Sequence, residues 1–195
     1  MSNVRKITRR GPLNKSPGSF YGGVPTGQRV EAFEVLKRVV EDYKPEAIIE
    51  IGFWQGGMSL FLSDLDVCSV WSFDIKNSNY PVSNSNLNMI VKNCHSQETK
   101  IYLEQITKNK KTLWMIDGGD KAKEFNFLSD IIKTGELAMT HDFAPDKEGF
   151  NYLVDNNIWY WWESSLDQLD LSSFENHDDF EYIWKTSVWG AFVKQ

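Results

Sequence analysis

Acidic residues close apolar runs at several places in this 195-residue chain: Asp74 after "CSVWSF", Asp117 after "KTLWMI", and Asp142, beside His141, after "ELAMT". Glu50 lies inside a further apolar run, "KPEAIIEIG". That run breaks into "IGFWQGGMSLFLSDL", where Gly52, Gly56 and Gly57 precede a helical pattern. Carboxylates at the ends of buried strands, next to a glycine turn, can do two kinds of work. They can bind the hydroxyl or ammonium groups of a ligand lying over the turn. Adjacent ones can also share a cation, because neighbouring parallel strands lie about 4.8 Å apart.

Three ligand cradles fit a strand–glycine–helix junction. A phosphate loop reads GxxxxGK[ST]; Gly52 to Ser59 matches except that Met58 stands where the lysine belongs, so the charge for terminal phosphates is missing. A dinucleotide loop reads GxGxxG, but Phe53, Trp54 and Gln55 place bulk where the backbone must approach a pyrophosphate. A nucleoside without phosphates asks only for a bare turn at Gly52, close packing at Gly56 and Gly57, and an acid for the ribose hydroxyls. Asp74 lies 22 residues after Gly52, about the expected spacing for that acid. Glu50 faces the same way as Gly52 and can meet a ligand ammonium. S-adenosylmethionine, an uncharged-sugar nucleoside with an amino-acid tail, suits such a pocket. A glycine turn of no chemical purpose is the plain alternative.

The elements that must position these residues alternate. "RVEAFEVLKRVVEDY" carries Val30, Phe33, Val35, Leu36, Val39 and Val40 at helical spacing. Strands are expected in "KPEAIIEIG", "CSVWSFDI", "LNMIVKN", "KTLWMIDGG" and "ELAMTHDF", with helices in "GMSLFLSDL", "SQETKIYLEQITK" and "KAKEFNFLSDIIKTG" between them. Further on, "DKEGFNYLVDNN" and "IWYWWESSLDQL" read as helical, and "DFEYIW" with "SVWGAFVKQ" as a terminal strand pair. Strands separated by helices predict an α/β, Rossmann-like, doubly wound sheet. It should be mostly parallel and seven-stranded, with helices on both faces and a C-terminal antiparallel pair. Ligands bind such sheets at the carboxyl ends of the strands.

The run "YGGVPTGQRVEAFEVLKRVVEDYKPEAIIEIGFWQGGMSLFLSDL" resembles the front half of the cephalosporin hydroxylase family, whose members resemble class I S-adenosylmethionine-dependent methyltransferases. The shared pattern is a Gly-x-Pro-x-x-Gln loop, a helix, "KPxxIIExG" and "GGxSLFL". It continues through "WSFDI", "TLWMIDGGDKAKEFNFLSDIIKTGELAMTHDF" and "WGAFVK". The resemblance implies a cofactor site using Glu50, Gly52, Gly57, Ser59 and Asp74, with Ser96 and Gln97 near the adenine. It also implies a divalent metal, Mg2+ or another, held by an acid at Asp117 and a carboxylate pair after the following strand. Here that pair is His141 and Asp142, and histidine favours softer metals than magnesium. Alternatively His141 is the proton acceptor. Asp120 or Lys121 can assist proton removal, or simply start a surface helix.

The expected organisation is therefore an irregular basic N-terminal arm and lid over residues 1–28 and a single Rossmann-like methyltransferase domain over 29–195. The expected activity is transfer of a methyl group to a hydroxyl of a small molecule or saccharide. A non-catalytic S-adenosylmethionine-binding protein of the same fold is the alternative, and an NAD-linked oxidoreductase rests on the fold alone.

A net charge of −6 argues against a general nucleic-acid binder, and no Asn/Asp-Pro-Pro-aromatic run of amino-methylating DNA enzymes is present. Arg5, Lys6, Arg9, Arg10 and Lys15 nevertheless precede the first acid, Glu31. They form a solvated tail or touch an anionic partner or a neighbouring subunit of a homo-oligomer. No apolar stretch reaches the length of a membrane span, so the chain is expected in the cytoplasm. Cys68 and Cys94 read as reduced core residues, and His177 as an exposed loop residue. Trp54, Trp159, Trp161 and Trp162 offer flat faces to an acceptor, or build a core or interface.

Overall fold

The computed structural model describes residues 5–9 and 18–195. In chain order it comprises β1 (Ile7–Arg9), β2 (Ser19–Tyr21), β3 (Val24–Pro25), α1 (Val30–Tyr43), β4 (Ala47–Ile51), α2 (Gly57–Asp64), β5 (Ser69–Asp74) and β6 (Leu87–Val91). There follow α3 (Gln97–Ile106), β7 (Thr112–Ile116), α4 (Lys121–Leu128), β8 (Leu137–Thr140), α5 (Lys147–Asp155), β9 (Phe174–Asn176), α6 (Phe180–Ser187) and β10 (Gly190–Lys194).

Seven strands form one sheet in the order β6-β5-β4-β7-β8-β10-β9. The first five pair in parallel, and β10 runs antiparallel to both β8 and β9. β4 and β7 are buried along their whole length, as central strands covered on both faces must be. Their alternation sorts side chains between two cores. Ile48, Leu113 and Met115 pack with α1 and α2 on one face, while Ile49, Ile51, Trp114 and Ile116 pack with α3, α4 and α5 on the other. The chain winds from β4 outward to β6, then returns to β7 and winds the other way. Strand order therefore reverses between β4 and β7, and the carboxyl ends of these two strands border the crevice where open α/β sheets take ligands.

Gly52 is where the two halves meet. Its φ is +91°, and a Cβ there would lie 2.2 Å from the carbonyl oxygen of Asp117. Only a residue without a side chain lets the β4 turn pass so close to the end of β7. Gly57 opens α2 for a similar reason, since a Cβ would come within 2.4 Å of the Pro25 carbonyl oxygen.

Four elements differ from the sequence reading. Residues 18–28, expected to be irregular, include β2 and β3, which pair antiparallel, with β1 on the outer side of β2. Tyr21 is buried against Phe33 and Phe61, and Asp64 on α2 accepts hydrogen bonds from the Tyr21 hydroxyl (2.9 Å) and Arg5 Nη1 (2.9 Å), so this segment has a core to join. Arg10, Lys15 and the side chain of Arg9, part of the expected basic arm, lie outside the described residues. α4 stops at Leu128 and not at Gly135, because the Ile131 amide turns back onto the Leu128 carbonyl (3.0 Å) and tucks two isoleucines into the core.

The stretch "IWYWWESSLDQL" is extended and not helical. The amide of Glu163 donates to the Asp142 carbonyl (3.0 Å), and Ser164 makes a parallel bridge with Phe143, so the segment is strapped across the end of β8. "DFEYIW" belongs to α6 and not to a strand; Ile183, Trp184 and Ser187 form its buried face at helical spacing. The antiparallel pair expected at the C-terminus does form, but the partner of β10 is the earlier segment Phe174–Asn176.

Candidate functional site

A cleft of about 910 Å3 opens over the carboxyl ends of the parallel strands. Its walls bring together Glu50 and Gly52 from β4 and its turn, Asp74 from β5, Asp117 and Asp120 after β7, and His141 and Asp142 after β8. These residues are scattered over more than ninety positions of sequence, and the sheet topology alone makes them neighbours.

On the β4–β5 side, Asp74 ties the glycine turn in place. Its Oδ2 accepts from the Trp54 amide (2.8 Å) and its Oδ1 from the Lys76 amide (3.1 Å). Trp54 holds a left-handed φ of +45°, unusual for a bulky residue, and its indole is 49% exposed at the cleft mouth. Glu50 is buried, and its Oε2 accepts from the Ser59 hydroxyl (2.5 Å). Gly57 and Ser59 thus stand behind the cleft wall: the glycine packs the loop, and the serine holds Glu50.

Burial pushes the Glu50 carboxyl up from 4.5 to about 7, against the pull of the Ser59 hydroxyl. The folded state then keeps this proton more tightly than the unfolded chain does. Its contribution to stability is full below about pH 4.5 and is lost as pH rises through about 7, on the order of 3 kcal/mol in all. Chemical denaturation at pH 5 and pH 8 should show the wild type losing stability relative to Glu50→Gln across that window. Parallel behaviour of the two proteins would contradict the assignment.

Ser96 and Gln97, which the resemblance puts near an adenine, are not among the residues lining the cleft. Ser96 is the N-cap of α3, its Oγ accepting from the Thr99 amide (3.1 Å), and Gln97 is the first residue of the helix. The residues that line the cleft at this point are Asn93, Cys94 and His95, because the chain bends into the cap just after them. Cys94 and Cys68 are free thiols, and burial pushes Cys94 up to about 12, so it remains protonated. Ligand atoms of Cys94, His95 and Glu124 lie within 4.8 Å of one another, yet a protonated thiol is a poor metal ligand.

On the β7–β8 side, Asp117 and Asp142 are held by donors on every oxygen. Asp117 Oδ1 accepts from His141 Nδ1 (2.9 Å) and Oδ2 from Gln28 Nε2 (2.7 Å). Asp142 Oδ1 accepts from the Trp159 indole (2.6 Å), and its Oδ2 faces Lys121 Nζ at 3.1 Å. Gln28 is fully buried and accepts from Trp189 Nε1 (2.9 Å), so it anchors Asp117 to the core. Burial opposes protonation of His141, but Asp117 and Asp142 outweigh it and hold its pKa above the ordinary imidazole value. Burial likewise opposes the charge on Lys121, and Asp117, Asp142 and Glu163 reverse it, so the lysine is an ammonium. Asp120 lines the cleft but is also the N-cap of α4, its Oδ1 accepting from the Lys123 amide (3.1 Å).

Asp117, His141 and Asp142 each offer a ligand atom, and these lie within 4.8 Å of one another. His141 is 2% exposed and its Nε2 has no hydrogen-bond partner among the described residues. It is Nδ1 that faces the carboxylates, 2.9 Å from Asp117 and 3.5 Å from Asp142, and two carboxylates with an imidazole form a mixed N/O donor set that fits a divalent cation, manganese or zinc at least as well as magnesium.

Beside the cleft a smaller pocket of about 220 Å3 is walled by Trp54, Trp159 and Trp161 with Gly27, and among the described residues no charged side chain lines it. Gln28 and Glu163 are functional candidates that the sequence reading did not single out. Gln28 does close the Gly-x-Pro-x-x-Gln pattern, which was the available signal; Glu163 carries none.

The fold has known relatives. CmcI, of the cephalosporin hydroxylase family, solved with Mg and SAM, superposes with a TM-score of 0.63 at 15% identity, covering 89% of this chain and 75% of that one. CmcI in an apo form gives 0.64 at 13% identity over 90% and 75%. A protein of Staphylococcus aureus, provisionally assigned as a caffeoyl-CoA O-methyltransferase, gives 0.52 at 14% identity over 84% and 82%. No protein-family model matches the sequence, and no curated protein is significantly similar to it. At these identities the likeness establishes the fold, and at that level the resemblance read from the sequence is met. Among the described residues, no helix is long and apolar enough to cross a membrane.

Proposed function

We propose that the protein is an S-adenosylmethionine-dependent O-methyltransferase acting on a hydroxyl of a small molecule or saccharide. The observation that carries this reading is the division of one cleft into two chemically different ends. At the β4–β5 end a bare glycine turn, a buried carboxyl and a loop-clamping aspartate suit a nucleoside with an ammonium tail. At the β7–β8 end a carboxylate–imidazole–ammonium cluster suits a hydroxyl that must lose a proton. The shared fold with CmcI, solved with Mg and SAM, supports the assignment of the first end.

In this reading Asp74 holds the ribose hydroxyls and Glu50 meets the cofactor ammonium. The acceptor oxygen attacks the methyl carbon as the carbon–sulfur bond breaks, so the thioether leaves neutral and no covalent enzyme intermediate forms. Of the Asp117–His141 pair, Asp117 is the member that an acceptor hydroxyl can reach, its side chain being 18% exposed against 3% for His141, and the proton passes to it. Alternatively, a divalent cation held by Asp117, His141 and Asp142 would take the place of that proton acceptor, lowering the pKa of the acceptor hydroxyl. The tryptophan-walled pocket offers flat apolar faces for the acceptor ring. The segment carrying Thr26 and Gly27 forms the rim and serves as the lid.

Calorimetric titration with S-adenosylmethionine, followed by transfer of a labelled methyl group to a panel of phenols and monosaccharides, tests the proposal. Saturable one-to-one binding and label in at least one acceptor are expected. Binding without transfer to any hydroxyl would favour the non-catalytic binder of the same fold, and no binding at all would remove both.

A further inference from the structure

Lys121 faces the same two carboxylates that a metal bound by the acid cluster would use. Its Nζ lies 3.1 Å from Asp142 Oδ2 and 3.6 Å from Asp117 Oδ1, within the space those two carboxylates share. It is buried (4% exposed) and also donates to the Gly118 carbonyl (3.0 Å). A third carboxylate, Glu163, accepts from the same nitrogen at 2.6 Å and stands further out, 45% exposed. A divalent ion binding Asp117 and Asp142 needs oxygens at roughly 2.0–2.2 Å, and it cannot share the space between them with an ammonium of like charge.

We infer that Lys121 is a built-in competitor for the cation site, which a divalent metal must displace from Asp117 and Asp142 toward Glu163. When no metal is present the lysine sets a positive charge against the carboxylate pair, which offsets the burial of Asp142 beside the part-buried Asp117. When a metal arrives, Glu163 offers the displaced ammonium a partner at the cleft rim, so the lysine is not driven into an apolar wall. Metal affinity is then set by the difference between two occupants of one pair of acids. Lys121 is a positioning residue in this scheme and Glu163 its second anchor. The inference rests on the reading of Asp117, His141 and Asp142 as the cation site of the proposed enzyme.

The test is calorimetric titration of the full chain with Mn2+ alone, without S-adenosylmethionine. Lys121→Met should bind Mn2+ at least ~10-fold more tightly than wild type, because the ion no longer displaces a charge. Glu163→Gln should bind it several-fold more weakly, since the ammonium loses its alternative partner and stays on the two aspartates. Asp142→Asn should bind it more weakly than either. Unchanged or weakened Mn2+ binding in Lys121→Met overturns the inference, as does tighter binding in Glu163→Gln. Should Lys121→Met fail to fold, Lys121→Gln, which keeps a polar tip in the buried space, carries the same expectation. S-adenosylmethionine affinity measured separately on the same proteins distinguishes the two failures. Normal cofactor binding with metal affinity indifferent to Lys121 removes only this inference, whereas a wild type that binds no cofactor removes the enzyme assignment and leaves the metal competition measurable.

Discussion

Replacing Asp74 with alanine is expected to raise the dissociation constant for S-adenosylmethionine at least ~100-fold, about 3 kcal/mol, as loss of two hydrogen bonds to a charged group implies. The carboxylate has two tasks that fail together. In the proposed function it supplies acceptors for a ribose at the mouth of β5; in the structure it holds the Trp54 amide at 2.8 Å and the Lys76 amide at 3.1 Å, which fixes the glycine turn. Asp74→Asn keeps one oxygen of the same shape and should lose roughly tenfold less. Calorimetry on both variants reads the effect directly. An affinity within threefold of wild type in Asp74→Ala would mean that the cofactor lies elsewhere in the cleft.

The second large effect is expected at the opposite end. Asp117→Asn should lower the rate of methyl transfer by roughly 100- to 10,000-fold, the usual range for removal of a positioned proton acceptor, while cofactor affinity stays within threefold. The substitution preserves shape but not hydrogen bonding. The aspartate accepts from both Gln28 Nε2 and His141 Nδ1, and an asparagine can accept from only one of them. The other donor is left facing an amide nitrogen, so the melting temperature should also fall, by an amount corresponding to about 1–3 kcal/mol. Single-turnover assays at saturating cofactor separate the two consequences. Unimpaired transfer would exclude Asp117 from the chemistry, whatever happened to stability.

The two substitutions probe opposite walls of one cleft, and their effects should remain distinct. Asp74 belongs to a part of the site that is held by backbone amides and is formed before any ligand enters. Asp117 belongs to a charge cluster in which Lys121, His141, Asp142 and Glu163 each lean on the others. A change to one member of that cluster alters the electrostatics of all, so double substitutions there should be far from additive.

Much of the architecture could be read along the chain. The runs "AIIEI" and "TLWMI" are apolar on both faces, which only central strands of a covered sheet require, and the helices between them forced parallel pairing. That Asp74, Asp117, His141 and Asp142 lie at strand ends is legible from the apolar runs they follow, and the structure places all four on one cleft. Where the reading failed, local pattern was outweighed by contacts from afar. "IWYWWESS" reads as part of a helix, a reading that its strand-favouring Ile, Trp and Tyr do not support; Trp159 is held by a carboxylate seventeen positions earlier and Glu163 by a main-chain carbonyl of that same residue. "DFEYIW" alternates like a strand, but Trp184 and Ile183 find opposite cores once α6 lies against the sheet. Ser96, which the resemblance implies lies near the adenine, caps α3 and is not among the residues lining the cleft.

What the sequence determined unaided was the five parallel strands with β10, the turn that demands glycine, and the acids placed at strand ends, since periodicity, backbone freedom and the polarity of a terminus are local properties. Which acids become neighbours was decided only by the tertiary structure. Gln28 meets Asp117 across eighty-nine residues, and Lys121 stands between Asp117 and Asp142 with Glu163 above it, because the sheet's reversal and the strap after α5 bring those segments to one edge. A charge carries no record in the sequence of the partner that will neutralise it; that partner is set by the path of the whole chain.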